Sequence, residues 1–111
     1  MNENQETITA WAEETFGPSH PAVVAARMSI EVAELVSGLS TVSHLPVEDM
    51  DPVTLAALRD EIADVNVMLS QVAKKLNVDI AAATDFKMAI NRKRSWGRTA
   101  SGHFQHTEDD A

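Results

Sequence analysis

The stretch DPVTLAALRDEIADVNVMLSQVAKKL, Asp51 to Leu76, is the longest segment of this chain with one unbroken hydrophobic period. Leu55, Leu58, Ile62, Val65, Leu69, Val72 and Leu76 alternate spacings of three and four, which draws one apolar stripe along an α-helix. Asp51 supplies an N-cap and Pro52 the first-turn proline, so the helix starts there, and Asn77 suits a left-handed stop. Such a stripe requires an apolar partner. Upstream, Ser19-His20-Pro21 opens a second helix in which Val24, Met28, Val32, Leu35 and Leu39 share a face. A shorter helix is expected over Thr7 to Phe16, with Ile8, Trp11, Ala12 and Thr15 on one side and Gly17-Pro18 ending it. Asp79 caps a fourth, expected from Ile80 to Arg94 with Ala83, Phe86 and Ile90 inward. Gly38 to Met50 reads as a loop with room for a short turn. No run alternates long enough to make a strand. The expected fold is therefore all-α, a bundle of four to five helices with its functional site between them, in a single domain over residues 1–111 whose tail, 98–111, is mobile.

Bulk properties narrow the class. A chain of 111 residues with 44% apolar and 23% charged residues has the composition of a globular domain, not of a disordered chain. It has no apolar run near the roughly 20 residues of a membrane span and no signal-peptide pattern at its start, so a cytoplasmic setting without membrane partners is expected. The absence of cysteine removes disulfides, thiolate nucleophiles and Cys-based zinc sites. The net charge of -8 argues against stable nucleic-acid binding, because phosphate contacts need Lys and Arg. Five of the nine basic residues, however, fall between Lys87 and Arg98 without an intervening acid, a local cationic segment suited to phosphate.

Two acidic pairs flank the apolar stripes. Glu31 and Glu34 lie on the second helix, Glu61 and Asp64 on the third, each pair three residues apart. Residues at that spacing sit about 60° apart around a helix and about 4.5 Å apart along it, so each pair faces one way. One pair alone is commonplace on a solvated helix. Two pairs meeting across a helix interface would repel one another unless a cation joined them. Hard divalent ions take oxygen ligands, and Mg²⁺ completes its shell with waters and substrate phosphates, so Glu31, Glu34, Glu61 and Asp64 are candidate ligands for Mg²⁺, with Mn²⁺ a substitute. Lys87, Asn91 and Arg94, spaced four and three, form a polar stripe able to bind phosphate and sugar oxygens, with the alternative of an ordinary basic helix end.

In that order, ExxE, ExxD, then Lys, Asn and Arg on a last helix, the residues from about Phe16 to Trp96 resemble the all-α nucleoside triphosphate pyrophosphohydrolases of the MazG type. The run Asn91-Arg92-Lys93-Arg94-Ser95-Trp96-Gly97, the tail Gly102-His103-Phe104-Gln105-His106 and the turn Phe16-Gly17-Pro18 are most similar to small bacterial and phage members acting on dATP and dGTP. Ile30 stands where several relatives carry an additional Glu. The resemblance implies metal-dependent hydrolysis of a nucleoside triphosphate to monophosphate and pyrophosphate, Glu31 and Glu34 as catalytic residues with Glu34 orienting the water, and a homodimer or dimer of dimers. Association also follows from area, because four helices in so short a chain leave apolar surface exposed.

Trp11 and Trp96 fit either packing or stacking on a base. His20 reads as a loop residue near the nucleotide, and His103 and His106 as part of a lid or of a free tail. A zinc site is disfavoured by the scattered histidines, and a di-iron bundle lacks its Glu-x-x-His pairs. The rival to an enzyme is a noncatalytic helical dimerisation module. Within the same fold, pyrimidine nucleotides and phosphoribosyl-ATP are the alternative substrates.

Overall fold

The computed structural model describes residues 2–98 and 104–108, whose elements run α1 (Gln5–Phe16), α2 (Pro21–Ser40), a 3-10 turn (Val47–Asp49), α3 (Pro52–Lys75), α4 (Ile80–Asn91), β1 (Ser95–Arg98) and β2 (Phe104–Glu108). The chain divides into two compact units, Met1–Val78 and Asp79–Ala111. Among the described residues no helix is long and apolar enough to cross a membrane.

Local chemistry sets the boundaries in the first unit. α1 starts two residues before the expected Thr7 because Asn4 and Thr7 cap each other: the Asn4 side chain accepts from the Thr7 amide at 2.9 Å, and the Asn4 amide donates to Thr7 Oγ1 at 2.8 Å. It ends at Gly17, whose φ of 74° is open to glycine without strain and whose amide donates to Glu13 O. His20 then caps α2 through Nδ1, which accepts from the Ala22 amide at 3.0 Å ahead of Pro21. Asp51 caps α3 by accepting from Thr54 N at 2.8 Å, and that hydrogen bond holds its carboxyl below the usual value. Asn77, at φ 57°, stops α3 in the left-handed conformation.

α2 runs through Gly38 to Ser40 and does not yield to a loop at Gly38. Packing explains the glycine: a Cβ built there would stand 3.2 Å from Leu58 Cδ2, so its absence lets α2 and α3 approach closely. Late α2 thus meets early α3, while Val24 and Arg27 of early α2 share a groove with Gln71, Lys74 and Lys75 of late α3; the two helices are antiparallel. α1 is fastened to the end of α3 by Lys75 Nζ on Glu13 at 3.7 Å and by Gln5 Nε2 donating to Val78 O at 2.7 Å.

The core is small. Ala12, Val24, Leu58 and Ala73 are buried together with Thr9, Ser70 and Gln71. Trp11, expected inward as one option, is half exposed, because α1 turns Thr9 and Ala12 toward the core instead. The α3 stripe splits in two. Leu58 is buried and Val65 and Val72 are half-buried, whereas Leu55, Ile62, Leu69 and Leu76, each seven residues from the next, remain between 40% and 58% exposed.

In the second unit, Asp79 caps α4 by accepting from the Ala82 amide at 3.1 Å, and the helix closes at Asn91, three residues short of the expected Arg94. There the hydrogen bonds shorten to three-residue turns, Lys93 N to Ile90 O and Arg94 N to Asn91 O. β1 and β2 then pair antiparallel, Trp96 opposite His106 and Arg98 opposite Phe104, with an irregularity between Ser95 and Trp96. This hairpin corrects the expectation that the chain forms no strand. Strands of four and five residues, one containing Gly97, carry too little alternation to register as a period. Residues 99–103, His103 among them, and 109–111 lie outside the described residues.

Because a Cβ at Gly38 would press on Leu58 of α3, Gly38→Val is expected to destabilise the chain by about 1–3 kcal/mol through overpacking. Chemical denaturation followed by circular dichroism measures this, and an unchanged midpoint would show that the contact does not constrain packing.

Candidate metal centre

The antiparallel pairing of α2 and α3 brings the two acidic motifs face to face. Glu31 and Glu34 of α2 and Glu61 of α3 each place a carboxylate oxygen within 4.8 Å of the others. Asp64, one turn beyond Glu61, lies outside that tight trio but close enough for its charge to act on both Glu31 and Glu61. The four acidic residues expected to converge therefore do so as a triad with a nearby fourth.

Their environment is electrostatically uncomfortable. Partial burial, first, and then the charges of Glu34 and Asp64 push the Glu31 carboxyl above its ordinary value, while Arg27, one turn earlier on α2, pulls the other way. Partial burial likewise raises Glu61, followed by the charges of Glu34, Asp64 and Glu31. Glu61 Oε2 is shut off from solvent and meets no hydrogen-bond partner among the described residues. An orphaned, buried carboxylate oxygen amid three other acids suits a hard divalent cation, which would take oxygen ligands and cancel the repulsion.

The remaining candidates are distributed as follows. Lys87 and Asn91 lie on α4 and Arg94 in the turn after it, Lys87 exposed and the other two half-buried; Asn91 Nδ2 approaches Met88 Sδ at 3.6 Å. These three belong to the second unit and the carboxylates to the first. Trp96 is in β1. His20 caps α2, which accounts for it structurally. Trp11 stands edge-on to Phe16, ring centroids 5.4 Å apart at 85°, and the Arg27 guanidinium lies 5.6 Å from the Phe16 centroid. Arg27 and Gln71 were not singled out from sequence, although both fall on the helical faces of the acidic motifs, four residues before Glu31 and seven after Asp64.

A helical unit that converges carboxylates from two antiparallel helices defines the α-helical class of fold with a candidate centre for a divalent metal. No family model matches the chain. Two curated relatives do: a dATP/dGTP diphosphohydrolase of Salmonella phage PMBT28, 33% identical over 105 residues, covering 95% of this chain, and a dATP/dGTP diphosphohydrolase of Cyanophage S-2L, 32% identical over 104 residues, covering 94% of this chain and 85% of that protein. The chain spans only 31% of the length of the Salmonella phage relative. Among solved structures, the Cyanophage S-2L MazG-like pyrophosphohydrolase bound to dGDP and three catalytic Mn²⁺ ions per active site superposes with a TM-score of 0.69 at 30% identity, over 96% of this chain and 93% of that one. The chain belongs to the MazG-like pyrophosphohydrolase family.

A pH dependence follows for the metal-free protein. Carboxyls held above their ordinary 4.5 favour folding when protonated, so their contribution is present below that value and is lost as pH rises through the higher folded values. The unfolding temperature should climb on acidification from pH 7 toward pH 5, and Glu61→Gln should raise it at pH 7 and flatten the slope. Thermal scans in EDTA decide; a lower unfolding temperature for Glu61→Gln at pH 7 would contradict the repulsion.

Proposed function

We propose that this chain is a nucleoside triphosphate pyrophosphohydrolase that converts dATP or dGTP to the monophosphate and pyrophosphate with Mg²⁺, or Mn²⁺ in its place. The observation that carries the reading is the convergence of Glu31, Glu34 and Glu61, with Asp64 adjacent, from two motifs thirty residues apart in sequence. Its support is the phage relatives, named for dATP and dGTP, and the MazG-like neighbour, bound to a deoxyguanosine nucleotide and to divalent metal.

Glu31, Glu34, Glu61 and Asp64 would hold the metal. A bound divalent ion supplies positive charge for the departing pyrophosphate and lowers the pKa of an attacking water. Glu34, the most solvent-facing of the triad, would accept a hydrogen bond from that water and orient it. Lys87 and Arg94 would neutralise outer phosphate oxygens, the guanidinium as a fork and the ammonium as a point charge, and Asn91 would donate to a phosphate or sugar oxygen. Trp11 and Trp96 are the candidates for stacking on the base.

We also propose that the chain works as a homodimer or a dimer of dimers, in the cytoplasm of a bacterium or a phage-infected cell. The exposed row Leu55, Ile62, Leu69 and Leu76 supports association, since a continuous apolar ridge on so small a core favours a second apolar surface. The phage sources of the relatives support the setting.

With Mg²⁺ and a panel of the eight common nucleoside triphosphates, the purine deoxynucleotides should turn over fastest and release pyrophosphate. Glu34→Gln and Asp64→Asn should reduce turnover to background with helicity intact. Orthophosphate as the first product would overturn the reaction type, and equal rates for pyrimidines would overturn the purine preference.

A further inference from the structure

The chain passes from the first unit to the second through Asn77-Val78-Asp79, and local bonds tie down most of this connection. The Asn77 amide donates to Lys74 O at 3.0 Å and the Val78 amide to Ala73 O at 2.8 Å, while Asn77 sits at φ 57°, the pattern that closes a helix through a left-handed residue. Asp79 then accepts from the amides of Ala82, at 3.1 Å, and Ala83, at 2.9 Å, to open α4. Between these two motifs stands the Val78 carbonyl. Its partner comes from the other end of the chain: Gln5 Nε2 donates to it at 2.7 Å across 73 residues of sequence.

That bond governs more than one atom. A peptide group is planar and stiff, so holding the Val78 oxygen holds the Asp79 nitrogen in the same plane. Only the φ and ψ of Asp79 separate this plane from the first turn of α4, and its capping bonds constrain both. The donor is itself fixed. Gln5 is the first residue of α1, where the reciprocal cap of Asn4 and Thr7 sets the backbone, and Lys75 grips the same helix further along through Glu13 at 3.7 Å. α4 in turn carries Lys87 and Asn91, with Arg94 in the turn after it. A surface hydrogen bond from α1 thus stands at the root of the helix that bears the phosphate-binding candidates.

We propose that Gln5 is a positioning residue for the hydrolysis: by fixing the Val78–Asp79 peptide plane it sets the start of α4, and so the place from which Lys87 and Asn91 meet the triphosphate. The assignment rests on the pyrophosphohydrolase reading and adds to it a residue that acts through α4. Gln5→Leu removes the donor. Gln5→Glu removes it too but keeps the shape, and it adds a negative charge to the first turn of α1, where the helix dipole favours one. Both variants are expected to raise KM for dATP and dGTP about fivefold with kcat little changed, the effect of losing one modest hydrogen bond that serves binding. Loss of folded protein would instead lower kcat and leave KM where it was. Glu13→Gln, which weakens the hold of α1 on α3 without touching Val78, should leave KM unchanged. Hydrogen exchange of the metal-free, nucleotide-free protein gives a readout apart from turnover: the Ala82 and Ala83 amides should exchange about fivefold faster in both Gln5 variants than in the wild type, and at the wild-type rate in Glu13→Gln. Unchanged exchange, an unchanged KM, or the same rise in KM for Glu13→Gln would overturn the proposal and leave the pyrophosphohydrolase reading intact. A wild type that hydrolyses no triphosphate would overturn that reading, and the proposal with it.

Discussion

Everything in the first unit depends on how closely α2 and α3 lie against each other. Gly38 lets Leu58 come within van der Waals reach of the α2 backbone, and that contact sets the register of two antiparallel helices. Given the register, the acidic residues have no freedom to avoid one another: Glu31 and Glu34 must face Glu61, with Asp64 one turn on. The same pairing sets Val24 and Arg27 opposite Gln71 and Lys75 at the other end of the shared face. One steric constraint between a glycine and a leucine therefore organises both an acidic and a basic-aromatic region.

The acidic region is held against its own electrostatics. Desolvation and like charge act in the same direction on Glu31 and Glu61, and the charge of Arg27 opposes them at Glu31. A small core dominated by alanine, valine and leucine, with three polar side chains buried among them, has little surplus with which to offset such repulsion. A divalent cation bound among these carboxylates would offset that repulsion and so stabilise the folded unit.

Sequence alone revealed the helices and the acidic pairs because both are periodic. Asp51-Pro52, Asn77 and Asp79 announced the ends of α3 and the start of α4, and each does what its side chain allows. Periodicity could not reveal which half of a double stripe would be covered: Leu58, Val65 and Val72 pack inward while Leu55, Ile62, Leu69 and Leu76 remain exposed, and a three-four pattern looks the same either way. Nor could it detect that Gly38 belongs to a helix, since glycine argues for a loop until the neighbour that needs its missing side chain is known. The β1–β2 hairpin escaped notice because its strands are short, and Gln71 because a glutamine on a helix carries no signal until its surroundings are visible. The resemblance to MazG-type proteins was legible in the order of the motifs and is confirmed by the relatives; which residue performs which role was not.

The mostly exposed connection between α2 and α3, with its 3-10 turn at Val47–Asp49, lies outside the Gly38–Leu58 contact that closes the two helices. Its length is therefore free to drift over evolutionary time, and descendants could lengthen or trim it while keeping the same chemistry. Either helix tolerates no such editing, because a single inserted residue between Gly38 and the acids, or between Leu58 and them, turns everything beyond it by about 100°. Variation in this lineage should thus accumulate at the hinge between the two long helices, leaving their internal spacing as the inherited measure.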